Sequence, residues 1–271
     1  MIPRHGPLSA TDLLPDGPLR RLGTRLFLHD TLESTNAFLL ARATEARDGA
    51  VAWAESQSAG RGRLGRRWQA PRGSSVLLSV LLIEPADSPL LELAGLLAAL
   101  ATCEAIEATT ECSPAVHWPN DVTIAGRKVC GVLAESSLIA NAAGPRRALV
   151  IGVGINCLQQ SGHFPPELAD IATSLEIASS QPIDRAAVAA KLLARLDHWL
   201  GVARDTADGW SALRAAWRAW CQDFGTRVTL EQDGREHRGT ALDVADDGSL
   251  IVQLDHGGRR QFASATTTRV W

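Results

Sequence analysis

Tyrosine is absent from the 271-residue chain, aromatic residues make up only 5% of it, and of its 27 basic side chains just two, Lys128 and Lys191, are lysine. With no tyrosine for stacking and a net charge of −3, the chain is a poor candidate for a general nucleic-acid binder, which needs a positive field. Its five cysteines, Cys103, Cys112, Cys130, Cys157 and Cys221, form no C-x-x-C pair, which argues against a disulfide framework and a zinc knuckle alike. The histidines are dispersed, with no i, i+4 pair to clamp an ion, so no resident metal site is expected. The longest apolar stretches, such as residues 76–83, are strand-length, and residues 1–24 carry no signal-peptide apolar block. The expectation is a cytoplasmic protein with no membrane association.

What is present suits a packed core, with 45% hydrophobic residues in a chain long enough for one large unit and one small one. Residues 1–24, rich in Pro, Gly and Arg, read as a lead-in too short for a winged-helix domain. Residues 25–29 alternate like a strand, and Ser34 caps a helix expected to reach about residue 46. Residues 50–55 and 74–83 are strand-like. Ser88 and Pro89 open a Leu/Ala helix running to about residue 109. Strands over residues 116–118, 122–124, 128–137 and 147–155 are separated by turns at Ala125-Gly126 and Ala143-Gly144-Pro145, giving a mostly hairpin-connected sheet. Helices near residues 173–178, 184–203 and 207–222 follow. From Gly225, Asp233-Gly234, Asp247-Gly248 and Gly257-Gly258 punctuate short strands, the pattern of a small β-barrel. The predicted organisation is a lead-in (1–24), a large α+β domain (25–222) and a C-terminal barrel (223–271).

Two clusters carry the chemistry. Gly60-Arg61-Gly62-Arg63-Leu64-Gly65-Arg66-Arg67-Trp68 matches G-x-G-x-x-G, but a dinucleotide fold needs a helix opening at the third glycine, and Pro71 and Gly73 lead instead into a strand. What remains is a glycine loop with four arginines and a tryptophan. Arginine forks take carboxylate and phosphate bidentately, and an indole face stacks on a base. Charge alone leaves this reading level with a solvated basic loop or an RNA-contacting arm. The second cluster, His117-Trp118-Pro119-Asn120-Asp121 followed by Gly126-Arg127-Lys128-Val129-Cys130-Gly131, places a carboxylate and one of only two lysines at the same end of a hairpin. A lysine kept in an arginine background suggests a need for a compact ammonium.

Taken with Ser34-Thr35-Asn36, Gln57 and Gly152-Val153-Gly154-Ile155-Asn156, these clusters follow one another as in biotin–protein ligases, which the chain resembles from about residue 25 to its end. The resemblance implies a class II synthetase-like catalytic domain, a mixed and mainly antiparallel sheet flanked by helices, with an SH3-like C-terminal barrel. It implies an enzyme that forms biotinyl-AMP from biotin and Mg-ATP, with Mg2+ arriving on the nucleotide. Biotin then passes to a lysine of a biotin carboxyl carrier protein, the acetyl-CoA carboxylase subunit. By the same resemblance Ser34, Thr35, Asn36, Gln57, Gly60, Arg61, Gly62, Arg63, Lys128 and Gly131 serve biotin, while Arg63, Arg66, Trp68, Asn120, Lys128 and Asn156 serve ATP and the adenylate. Arg61, Arg63, Lys128 and Asp121 are the catalytic candidates, Asp121 either accepting the carrier lysine's proton or holding Lys128. Biotin carboxylate and α-phosphate repel, so cations must bring them together, and no enzyme nucleophile is needed.

One position departs from the family: His117 stands where lysine is usual. No DNA partner is expected, since the winged helix some relatives carry has no counterpart here, and a sheet edge leaves room for a homodimer as in some relatives. The competing readings are a lipoate or octanoate ligase or transferase of the same superfamily, a catalytically silent biotin sensor, and an RNA-binding module.

Overall fold

A computed structural model describes residues 6–15, 17–139, 144–206 and 208–270. The expected helix start at Ala207, part of the Ala143-Gly144-Pro145 turn, and the first residues of the lead-in lie outside them. Within its described residues the lead-in holds a four-residue helix, α1 (Ala10–Leu13), and is anchored on both sides of it. Leu8, Leu13 and Leu22 are buried, and the Asp197 carboxylate accepts the backbone N–H groups of Arg20, Arg21 and Leu22 at 2.7–2.8 Å. Further along, Arg185 and Glu55 form a buried ion pair of 2.8 Å. Glu55 also accepts the Leu8 N–H and the Trp53 indole N–H, each at 2.9 Å, so one carboxylate satisfies donors from three segments.

The large sheet contains β1 (Arg25–Leu32), β2 (Ala50–Gln57), β3 (Ser75–Pro85), β4 (Pro114–His117), β5 (Asp121–Ile124), β6 (Arg127–Ile139) and β7 (Arg146–Asn156) in the spatial order β1-β2-β3-β7-β6-β5-β4. The β1–β2 pair is parallel and every other pair antiparallel, the mixed arrangement expected. Alternation along β3 and β7 divides the sheet chemically. Val76, Leu78 and Val80, with Ile151, Val153 and Ile155, join the main core. The opposite face carries Ser75 and Ser79 beside Asn156 and Gly152, and Gly154 beside Gly131. That face is small and polar where it must leave room.

Helix α2 (Thr35–Ala41) covers the rest of the second face through Leu39. It ends earlier than the sequence period suggests: Arg42 leaves helical geometry and residues 42–50 turn through Gly49, whose φ is +81°. The apolar period continues there because Ala43 and Ala46 are buried under the sheet. Helix α3 (Leu90–Thr109), predominantly apolar apart from Glu92, Glu104 and Glu107, is largely buried between the sheet and α5 (Arg185–Asp205), as a helix apolar on most of its faces requires. Short α4 (Leu175–Ala178) precedes α5, whose N-terminus is capped by the Asp184 carboxylate, and α6 (Gly209–Trp220) completes the layer. No described helix is long and apolar enough to cross a membrane.

The last five strands are β8 (Arg227–Gln232), β9 (Arg235–Val244), β10 (Leu250–Leu254), β11 (Arg259–Phe262) and β12 (Thr267–Arg269). They form an antiparallel sheet in the order β11-β10-β9-β8-β12. Its strands and turns match the expectation, but no ladder joins β11 to β12 among the described residues, so the closed barrel anticipated from the sequence is not found. The sheet docks on the large unit through the buried Trp118, whose indole donates to the Gly248 carbonyl at 2.9 Å.

Candidate active site

A cleft of about 880 Å³ opens on the polar face of the large sheet. Its floor is the glycine part of the face described above, Gly131, Gly152 and Gly154. The G-V-G-I-N motif is now explained by register, since Gly152 and Gly154 point the same way along β7. A Cβ on Gly152 would overlap Asn36 Oδ1, and one on Gly154 would lie 2.6 Å from the Trp68 ring. Each glycine therefore makes the space for one site side chain.

Three sides enclose this floor. At the first, Ser34 caps α2 and Gln57 ends β2; Gln57 Oε1 accepts the Thr35 N–H at 2.7 Å and its hydroxyl at 3.2 Å. Ser79 donates to Thr35 Oγ1 or Asn36 Oδ1, at 2.7 and 2.6 Å. At the second side stands the Gly/Arg loop. It is an arch closed by Gly62 N–H on Arg66 O at 2.7 Å and Trp68 N–H on Gly60 O at 3.0 Å, with left-handed Leu64 and Gly65 at its tip. Arg63 reaches from the tip to Asn120 Oδ1 at 2.8 Å, to the Thr267 carbonyl at 2.9 Å and to the Ser264 carbonyl. Burial lowers its affinity for the proton. Arg61 pairs with Glu135 at 2.9 Å.

The third side is the β5–β6 hairpin. Its Ala125-Gly126 turn has positive φ at both residues, the mirror-image turn that suits hairpin twist. It brings Lys128 Nζ to 2.5 Å from Asp121 Oδ1. Asp121, one of the two roles left open, thus holds Lys128 in this structure.

All the sequence-predicted site residues line this one cleft except Gly60. Gly60 stands at the neck of the arch instead, where a Cβ would overlap the Trp68 carbonyl. Arg61, Arg63 and Lys128 all line the cleft, each head engaged with its own partner: Glu135 for Arg61, Asn120 and two backbone carbonyls for Arg63, and Asp121 for Lys128. The three asparagines, however, have their polar atoms committed to the scaffold. Asn36 donates to Leu133 O and Glu135, at 3.1 and 2.9 Å. Asn120 donates to Val132 O while receiving Arg63. Asn156 donates to Thr173 O at 3.0 Å and accepts from Gln159 at 2.9 Å.

Sequence reasoning missed three contributors. The segment between β7 and α4 forms a wall with Phe164, Leu168 and Ile171, held by reciprocal bonds of 2.7–2.8 Å with the Lys128 backbone; its irregular backbone shows no period to detect. Glu135, behind the floor, accepts both Arg61 and Asn36 on one oxygen. Arg269 of β12 lines the cleft from the C-terminal sheet and pairs with the buried Asp223. Asp223 also meets His117 Nδ1 at 2.6 Å and accepts the Trp118 N–H at 2.7 Å. Burial pushes the Asp223 carboxyl up, but His117, Arg269 and the Trp118 N–H together hold it below the ordinary value. So His117, at the family's usual lysine position, serves as a joint between the two sheets.

Comparison with known proteins agrees with this geometry. Residues 28–156 match the biotin/lipoate A/B protein ligase family and residues 223–266 the biotin protein ligase C-terminal domain. The chain is 33% identical over 269 residues to the bifunctional ligase/repressor BirA of Bacillus subtilis, covering 97% of this chain and 80% of that protein. It is 38% identical over 244 residues to the biotin–[acetyl-CoA-carboxylase] ligase of Mycobacterium tuberculosis, covering 86% and 84%. The structure of biotin protein ligase from Aquifex aeolicus in complex with biotin and ATP superposes with a TM-score of 0.76 at 27% identity, covering 91% of this chain and 99% of the other. With both family models matched and relatives of 33% and 38% identity over most of its length, the chain belongs to the biotin protein ligase family.

Proposed function

We propose that this ligase joins the biotin carboxylate to the α-phosphate of ATP, releasing pyrophosphate, and then passes the acyl group to a lysine of a biotin carboxyl carrier protein. The observation that supports the reading is that Arg61, Arg63 and Lys128 line one cleft, because two anions react only where fixed cations offset their repulsion. The Ser34, Thr35 and Gln57 end, with its small-residue floor, receives the biotin head. Trp68 stacks on adenine against the Phe164–Ile171 wall, and Lys128, held by Asp121, sits where carboxylate and phosphate meet. Arg63, bound to both sheets, closes over the mixed anhydride and shields it from water. Asn36, Asn120 and Asn156 act by holding these elements in place.

Among the described residues no group of three His, Cys, Asp or Glu side chains is placed to ligate a metal. Those residues thus offer no all-protein cage for magnesium, which is ordinarily held largely by nucleotide phosphates. The lipoate reading is disfavoured because the C-terminal match is to a biotin protein ligase domain, and the silent-sensor reading because the phosphate-handling charges are all in place.

The test is mass spectrometry of a biotin carboxyl carrier domain incubated with the protein, biotin, ATP and magnesium. One added biotinyl group on a single lysine is expected, lost with Lys128→Ala while the variant still unfolds cooperatively above the assay temperature; the buried Asp121 carboxylate loses its partner, so stability falls by about 1–3 kcal/mol. Labelling with lipoate and not biotin refutes the assignment.

A further inference from the structure

Behind the Gly/Arg loop lies a second cavity of about 220 Å³ that shares Arg63, Pro119, Asn120, Val132 and Leu133 with the main cleft. Its outer wall is the first part of α3, with Glu92, Gly95 and Leu96, and its far rim is Ala265 from the C-terminal sheet. Gly95 is the only glycine of α3, a residue that weakens a helix interior. Packing does not require it: an added Cβ would come no closer than 3.8 Å to any atom, an ordinary contact. The missing side chain keeps the cavity open. Glu92 at its mouth is exposed, with no ion pair among the described residues.

We infer that this cavity is the port through which the acceptor lysine reaches the acyl-adenylate, an assignment that rests on the function proposed above. The chemistry fits one occupant, a primary amine on a flexible aliphatic stem. Glu92 attracts the ammonium, the Leu96, Val132 and Leu133 wall takes the methylenes, and Arg63 with Asn120 forms the partition behind which the mixed anhydride lies. Once deprotonated, the amine attacks the acyl carbon. A C–N bond forms, the bond from that carbon to the phosphate oxygen breaks, AMP leaves with the electron pair, and the second proton lost by nitrogen passes to Asp121 or to solvent. Entry on the side opposite the Phe164–Ile171 wall lets the lysine approach while the nucleotide remains in place.

The test separates the half-reactions in the full-length protein, using Gly95→Leu and, from the opposite rim and independent of the helix, Ala265→Trp. Biotin-dependent ATP–pyrophosphate exchange and the trapping of biotin by hydroxylamine, an amine with no stem, are expected to stay at the parent level. Transfer to the carrier domain should fall by about 10²-fold, the scale of a misplaced reactant, and Glu92→Gln should raise the KM for the carrier alone. Unchanged carrier transfer in both filling variants overturns the port. So does a parallel fall of exchange and transfer, or a raised KM for ATP, which would give the cavity to the nucleotide. Absence of biotin-dependent exchange in the parent protein would instead sink the proposed function itself.

Discussion

Gly154→Ala offers the sharpest separation of the two substrate subsites. The added methyl would lie 2.6 Å from Trp68 Cε2 and 2.9 Å from Cζ2 and Nε1, against an ordinary carbon contact of about 3.5–4.0 Å. The indole must therefore retreat by about 1 Å, because Gly154 sits in the middle of a strand paired on both sides and cannot yield. If Trp68 stacks on adenine, loss of that stack removes about 1–3 kcal/mol, a rise in the KM for ATP of roughly 5- to 150-fold. Overpacking will also cost about 1–3 kcal/mol of stability, so the assay is biotin-dependent pyrophosphate exchange well below the variant's melting temperature, with each substrate titrated. Gly152→Ala is the companion: its methyl overlaps Asn36, and the KM for biotin should rise while that for ATP moves little. The reasoning is refuted if both variants shift the same substrate, or if folded Gly154→Ala binds ATP as the parent does.

Glu135→Gln removes the charge holding Arg61 but keeps an acceptor for Asn36. Tryptic cleavage within residues 61–67 should accelerate and the KM for biotin rise about 2–5-fold, the worth of a partly exposed pair; an unaltered cleavage rate would show that Glu135 does not order the loop. Arg185→Met leaves the Glu55 carboxylate buried and unpaired, so thermal unfolding should show a loss of about 3–5 kcal/mol, partly restored by adding Glu55→Gln, and a melting curve like the parent's contradicts this. Asp223 supplies a pH dependence. Its carboxyl is lowered in the folded state, so its stabilisation is present above the unfolded value of about 3.9 and is lost as pH falls through the folded one. Asp223→Asn should thus be about 1–3 kcal/mol less stable at neutral pH, with the gap closing below about pH 4 in urea titrations; a gap that widens on acidification is incompatible with the pairing.

The order of elements, the hairpin at Ala125-Gly126, the caps at Ser34 and Asp184 and the anion-binding chemistry offered by Arg61, Arg63 and Lys128 were legible in the amino-acid sequence. Each depends on interactions a few residues apart, or on motifs whose residue types declare their chemistry. The end of α2, the open C-terminal sheet and the scaffold role of Asn36, Asn120 and Asn156 were not. Buried alanines prolong an apolar period whether or not the helix continues, and an asparagine's sequence does not reveal which distant carbonyl it will meet. The tertiary structure alone paired Glu135 with Arg61, set Asp223 between His117 and Arg269, and left a cavity at Gly95. These contacts join residues dozens to more than a hundred positions apart, and only chain packing sets their distances.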